Sequence, residues 1–317
     1  MISIPLSNQS IVEEHYNQIA DSLKKRISTV KINGATIKGE KYIPKKEHRK
    51  FLQSLLEKDH LKQLVTAGPK ELVSFIKKYN KENKGISDPE SDLNRLLYAI
   101  FINTEYTKNL QKWEFINRLK LDTCAYCNRS YTYSLSKNDG IKPELDHYYP
   151  KSKYPFLGLS FYNLIPSCQT CNGFGGKEGK DPLKNNMVSP YLLDHDTFYF
   201  TYDIKSIDVL SPLEGISSIE VILKTKKGSG NLNVFKLSEL YQKHEDHVLE
   251  LIVKSQLKYT EEYRGYLKSY EELSFSDSEI DRMIIGNYTL PEELHKRPLS
   301  KLYRDIGIEL GLIKAKN

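Results

Sequence analysis

Two Cys-x-x-Cys pairs, Cys124 with Cys127 and Cys168 with Cys171, hold every cysteine of the chain, with forty residues between them. Each pair can offer two thiolates from one tight turn, and two such turns complete a tetrahedron, the donor set of a structural zinc. Four thiolates close the shell, so an ion held this way organises structure and performs no chemistry. The opening "MISIPLSNQS" has neither the basic stretch nor the apolar length of an export signal, and no run of eighteen apolar residues occurs. A cytoplasmic chain without membrane segments is therefore expected. In that reducing compartment the clustering favours a metal over two disulfides.

If zinc ties the two pairs together, the segment between them is a loop pinned at both ends. That loop carries "ELDHYYPKSKYP", Glu144 to Pro155, which sets Asp146 directly beside His147. Two amides complete the pattern: Asn163, in "SFYNLIPSC", and Asn172, immediately after the last cysteine.

These residues suggest a family. The run "CAYC" from Cys124, then "LDHYYPKSKYP", then "NLIPSCQTCNGFGGK" from Asn163 to Lys177, resembles the HNH, or ββα-metal, endonucleases of the zinc-stapled type. In that family a hairpin carries the Asp-His pair, a loop the middle Asn and a short helix the last Asn or His. The resemblance covers about 65 residues, from Cys124 to roughly Asn186. A further likeness is to the HNH subunit of Septu-type anti-phage defence systems, in which a strand pair and a long helix also follow. It implies a defence effector working with an ATPase partner.

The chemistry of the residues agrees. A phosphodiester needs a nucleophile, stabilisation of charge on its phosphoryl oxygens and help for the leaving oxygen. A hard cation such as Mg²⁺ or Mn²⁺ prefers oxygen donors, which Asp146 and Asn172 offer. His147, neutral by default, can act as general base, and Asn163 can brace the loop. The resemblance implies 5′-phosphate and 3′-hydroxyl products. On a regular strand Asp146 and His147 would face opposite ways; Tyr148, Tyr149 and Pro150 predict that the strand ends there, so that the two can converge.

The sequence departs from the family in "CNGFGGKEGKD", where Gly173, Gly175, Gly176 and Gly179 stand in place of a short helix. Each glycine inside a helix costs about 1 kcal/mol relative to alanine, so a helix of one turn or a distorted one is expected. Lys177 is followed by Glu178 instead of Ser or Thr, which excludes a Walker phosphate loop and an ATPase of the chain's own.

Grip on a nucleic acid is expected from Lys151, Lys153 and Lys177, with Lys142 nearby, and from the basic runs Lys24–Arg26 and Lys45–Lys50. Residues 1–120 hold 22 Lys and Arg against 14 Asp and Glu, whereas residues 191–317 hold 17 against 21, so the amino-terminal part is the basic one. Tyr148, Tyr149 and Tyr154 are candidates to stack on unpaired bases. His195, His244, His247 and His295 show no ligand-like partners and read as structural.

The whole reads as α+β in three parts. Residues 1–120 form a mainly helical basic region, residues 121–190 the ββα-metal HNH core stapled by the four-cysteine zinc, and residues 191–317 a short β segment with long helices. Helices are expected from a Ser10–Glu13 capping box to about Ile27, continuously over 45–65, as one long helix from an Asp88-Pro89 start through Lys120, and over 237–273. The expected activity is metal-dependent hydrolysis of DNA. The alternatives are a non-catalytic zinc module that binds nucleic acid or protein, and an HNH ribonuclease directed at RNA such as tRNA.

Overall fold

A computed structural model of the protein describes residues 1–6, 8–135, 143–210, 216–256, 261–270 and 274–315. The first helix, α1 (Gln9–Asn33), opens on Asn8, whose side-chain oxygen accepts the Ser10 N–H at 3.1 Å. The cap is thus Asn8 and not Ser10. The helix also continues past Ile27, because Ile27 and Val30 extend the buried stripe of Val12, Tyr16, Ile19 and Leu23. At Gly34, with φ of +74°, a Cβ would lie 2.1 Å from the Tyr42 carbonyl oxygen, so only glycine lets the hairpin β1 (Ala35–Ile37) and β2 (Glu40–Tyr42) fold back there.

The helix expected over 45–65 is two, α2 (Lys46–Leu56) and α3 (His60–Thr66), separated where Lys58 takes a left-handed φ of +48°. After α4 (Glu71–Glu82), α5 (Asp92–Leu97) starts beyond the Asp88-Pro89 pair, with Ser91 Oγ accepting the Asn94 N–H at 3.1 Å. It passes into a π-helix over Tyr98–Asn109. There the hydroxyls of Thr104 and Thr107 donate to carbonyls five residues back, on Ala99 at 3.0 Å and Ile102 at 2.7 Å. Residues 99 to 102 are all buried, so burial there sets no α-helical period. The long helix expected through Lys120 is interrupted at Leu110, which takes an extended conformation before α6 (Lys112–Leu119) begins.

The centre is an antiparallel pair, β3 (Glu144–His147) and β4 (Leu164–Ser167), with Asp146 opposite Ile165 and His147 opposite Leu164. A single turn, α7 (Gln169–Asn172), follows and ends at Gly173. A second antiparallel pair, β5 (Phe198–Ile204) and β6 (Ile219–Thr225), supplies the short β segment expected within residues 191–317. After α8 (Ser229–Phe235), the stretch expected as one long helix over 237–273 begins as α9 (Leu237–Tyr241), which a 3₁₀ turn at Gln242–His244 separates from α10 (Glu245–Gln256); α11 (Glu261–Lys268) follows residues 257–260, which lie outside the described residues. The chain closes with α12 (Asp277–Ile285) and α13 (Ser300–Glu309). Helices with small antiparallel sheets make the fold α+β, and its buried apolar residues, from Met1 to Ile313, form one cluster. No helix among the described residues is long and apolar enough to cross a membrane.

The first cysteine turn is keyed into this core by Asn128, which is fully buried with φ of +51°. Its backbone N–H donates to Cys124 O at 2.7 Å, and its carbonyl accepts from Leu299 N at 2.6 Å. Its side-chain nitrogen donates to Thr123 Oγ1 and Leu294 O, both at 3.0 Å, while its Oδ1 accepts from Ser300 Oγ and Lys301 N, both at 3.1 Å. The hydroxyl of Tyr241 adds a bond to Cys127 O at 2.5 Å.

Candidate functional site

The four cysteines converge. Their sulfurs all lie within 4.8 Å of one another, and Cys127 Sγ is 3.8 Å from Cys168 Sγ. A tetrahedral zinc with sulfur at ~2.3 Å sets sulfurs about 3.8 Å apart, whereas a disulfide needs ~2.05 Å. All four are free thiols, three of them buried and Cys168 half-buried. Burial pushes the Cys124 thiol well up, a cost that a bound cation removes by stabilising the thiolate. The donor set therefore fits a metal such as zinc.

Beside this cluster, β3 ends at His147, and Asp146, His147, Lys151 and Asn172 line one cavity of about 310 Å³. Both Asp146 and His147 are buried. His147 is fixed by two contacts. Its Nε2 lies 3.1 Å from the carbonyl of Gly158, which can only accept, so the proton sits on Nε2 and Nδ1 keeps its lone pair. The ring of Tyr106, on the π-helix, packs against it at 4.4 Å between centroids, and the Tyr106 hydroxyl donates to Leu145 O at 2.9 Å. Burial, with Lys151 next, lowers the His147 pKa to about 3, so the imidazole is neutral in the physiological range.

Asp146 accepts from the Tyr126 hydroxyl at 2.6 Å and from the ammonium of Lys177, which also donates to His147 O at 2.7 Å. Lys177 is fully buried, so the lysine expected to meet a phosphate is spent inside the protein. Asn172 donates its amide to Glu144 Oε2 at 2.6 Å, which leaves its Oδ1 for another partner. A carboxylate offers about four lone-pair sites, so Asp146 keeps accepting capacity beyond its two donors. The oxygens of Asp146 and Asn172 are suitable for a hard cation, although the Lys177 ammonium already offsets the Asp146 charge.

Asn163 braces the loop from the end of a short 3₁₀ turn. Its Oδ1 accepts from Tyr149 N at 2.7 Å, and its nitrogen donates to Leu157 O at 2.9 Å and Tyr149 O at 3.3 Å. Lys153 pairs with buried Asp181 at 2.5 Å, whereas Lys151 stays exposed, its ammonium 5.7 Å from the centre of the Tyr106 ring. Lys142 lies outside the described residues. The expectation of stacking by Tyr148, Tyr149 and Tyr154 is corrected: they are 2%, 5% and 2% exposed and belong to the core. Tyr126, Tyr106, Gly158 and Glu144 were not foreseen, since pairings made by packing across the sequence leave no local pattern.

His244, Asp246 and His247 also lie within ligand reach of one another. Nε2 of His244, however, accepts from Arg129 Nε at 2.9 Å, which puts its proton on Nδ1 and leaves that ring no free lone pair. His247 Nδ1 is 2.7 Å from the Tyr303 hydroxyl. The cluster is a hydrogen-bonded one.

Over 81 residues the chain is 33% identical to the Septu protein PtuB of Bacillus thuringiensis. The match takes in 25% of this chain and 29% of that protein, so it spans less than a third of either. No protein-family model and no solved structure matches.

Proposed function

We propose that this chain is a metal-dependent endonuclease of the HNH type that hydrolyses DNA phosphodiester bonds, in anti-phage defence and together with an ATPase partner. The observation that carries the reading is one cavity lined by Asp146, His147 and Asn172 beside a four-cysteine cluster. The partial likeness to a Septu protein supports the defence setting. On this reading residues 121–190 are the nuclease core, between the basic region 1–120 and the region 191–317.

His147 is the general base: its Nδ1 takes a proton from the attacking water as the new O–P bond forms and the P–O3′ bond breaks. The phosphate stays on the 5′ side, and the 3′ oxygen leaves as a hydroxyl once protonated. Asp146 and Asn172 would hold Mg²⁺ or Mn²⁺, which when bound supplies charge stabilisation at the phosphoryl oxygens. Asn163 is a positioning residue, and Lys151 is the lysine left at the mouth of the cavity to meet a phosphate. Zinc on Cys124, Cys127, Cys168 and Cys171 would hold the frame.

A plasmid-nicking assay with Mg²⁺ or Mn²⁺ tests this, with His147→Ala beside wild type. The expected result is nicking by wild type and its loss, by at least roughly 100-fold, in the variant, the lower end of what a general base contributes. Equal behaviour of the two, with zinc retained, would remove catalysis from the reading. Matched DNA and RNA pools separate a nuclease for DNA from one for RNA.

One observation favours a second reading. Lys177 already serves as the counter-cation of Asp146, as it would in a zinc module that binds nucleic acid without cutting it. Such a module would bind oligonucleotides with or without Mg²⁺ and leave them intact.

A further inference from the structure

With Tyr148, Tyr149 and Tyr154 withdrawn into the core, a different ring faces outward at the candidate site. Phe174 is 98% exposed, the most exposed of the large hydrophobic residues described. It sits between Asn172 and Glu178, both of which line the cavity.

The segment that carries it is held, residue by residue. Gly176 N–H donates to Gly173 O at 3.0 Å, and Gly175 has φ of +81°, the arrangement of a type II turn with Phe174 at its second position. Gly173 N–H donates to Gln169 O at 2.7 Å and Lys177 N–H to Cys171 O at 2.8 Å, so the turn is tied on both sides to the helix that ends in Cys171 and Asn172. Its glycines are required by contact as well: a Cβ on Gly176 would lie 2.4 Å from Cys171 O, and one on Gly173 would lie 2.7 Å from Gln169 O. The Lys180 ammonium donates to Gly176 O and places a cation beside the turn. The ring is therefore presented by a fixed piece of backbone anchored to a zinc ligand on one side and to Lys177 on the other.

The occupant follows from what surrounds the ring. Its exposed chain neighbours are Gly175, Glu178 and Gly179, none with an apolar side chain, so along this segment Phe174 offers a single ring. A protein interface needs hundreds of Å² of fitted surface, whereas a nucleobase is matched by a single aromatic face. We propose that Phe174 stacks on an unpaired nucleobase of the strand whose phosphodiester lies in the Asp146–His147 cavity. This inference rests on the nuclease reading and adds to it a preference for a substrate with an unpaired base at the cut site.

The test uses the full chain carrying His147→Ala, so that the probe is not cleaved. The probe is a single-stranded DNA oligonucleotide with 2-aminopurine placed at successive positions, compared with its duplex. The expected result is a fluorescence change at one position, lost together with roughly ten-fold in affinity when Phe174→Ala is added, and retained with Phe174→Trp. Bound zinc, measured on each variant, checks that the fold is kept. Unaltered affinity and signal in the Phe174→Ala chain would overturn the stacking role while leaving the nuclease reading in place. A chain that binds neither form of the oligonucleotide would overturn both.

Discussion

The ammonium of Lys177 lies 3.2 Å from Oδ1 and 3.1 Å from Oδ2 of Asp146, with both side chains almost wholly withdrawn from solvent. Without Lys177, Asp146 keeps its desolvation cost with only the Tyr126 hydroxyl left to offset it, and removing one member of such a buried pair costs about 3–5 kcal/mol. Lys177→Met is expected to lower stability by that order in urea unfolding. Adding Asp146→Asn to the same chain should restore a substantial part, since the charge left alone is then gone. Equal stability of Lys177→Met and wild type would mean that the pair contributes nothing to the fold.

Removal of the metal from the four cysteines should loosen the chain as a whole. A loss of ~3 kcal/mol, a small part of the ~10–16 kcal/mol apparent in zinc-finger peptides, lowers the melting temperature by roughly 4–5 °C in a chain of this length, at an unfolding entropy of about 2.1 cal/mol/K per residue. Native mass spectrometry should find one zinc per chain. Chelation or Cys168→Ser should remove it and lower the melting temperature, and an unchanged melting curve after complete metal loss would contradict the role assigned to the cluster.

Acid should destabilise the protein through His15. This imidazole is 1% exposed, bonded at 2.8 Å to Leu159 O and edged by Phe115 and Phe161. Burial lowers its pKa from 6.5 to about 4. Between those values the unfolded chain binds the proton and the folded chain does not, so the stability from this residue is complete above pH 6.5 and declines as pH falls to 4. The total is roughly 3 kcal/mol, from 1.36 kcal/mol per pKa unit. Unfolding free energies measured across this window should slope downward toward acid, and His15→Gln should flatten the slope.

Asn163→Ala is expected to cost ~2–4 kcal/mol, since it removes three buried hydrogen bonds at about 0.5–1.5 kcal/mol each and leaves the Tyr149 N–H without its acceptor. Zinc should remain bound. A loss under ~0.5 kcal/mol, seen in the denaturation midpoint, would show that backbone contacts alone hold residues 148 to 163.

Legibility from sequence followed locality. Cys124, Cys127, Cys168 and Cys171 could be read as one cluster because spacing and donor chemistry are local facts. The β5–β6 pair could be read because alternation in "TFYFTYDIK" and "SSIEVILKTKK" is local too. Helix ends were less legible. Ser28, Thr29 and Val30 have modest helix propensity, yet burial of Val30 against the core keeps α1 going to Asn33. The π-helix was hidden because its buried run shows no polar face. At the candidate site, Asp146, His147 and Asn172 stood out by type, whereas the partners Tyr126, Glu144 and Lys177 are set by packing. Tyr148 and Tyr154 misled because a tyrosine can be buried once its hydroxyl has a partner, as Tyr154 has in Asp181 at 2.9 Å.

The bonds of Asn128 carry a consequence for the order of events during synthesis. Residues 124 to 171, with all four sulfurs, leave the ribosome long before residues 294 to 301, which supply the bonds that clasp Asn128. Binding of an ion by the four sulfurs would need only the earlier stretch, while the clasp waits for contacts some 170 positions away in the chain. A nascent chain could thus take up an ion on these sulfurs before its last quarter exists, with the first cysteine turn still uncovered, and the late arrival of the carboxy-terminal helices is what seals that turn.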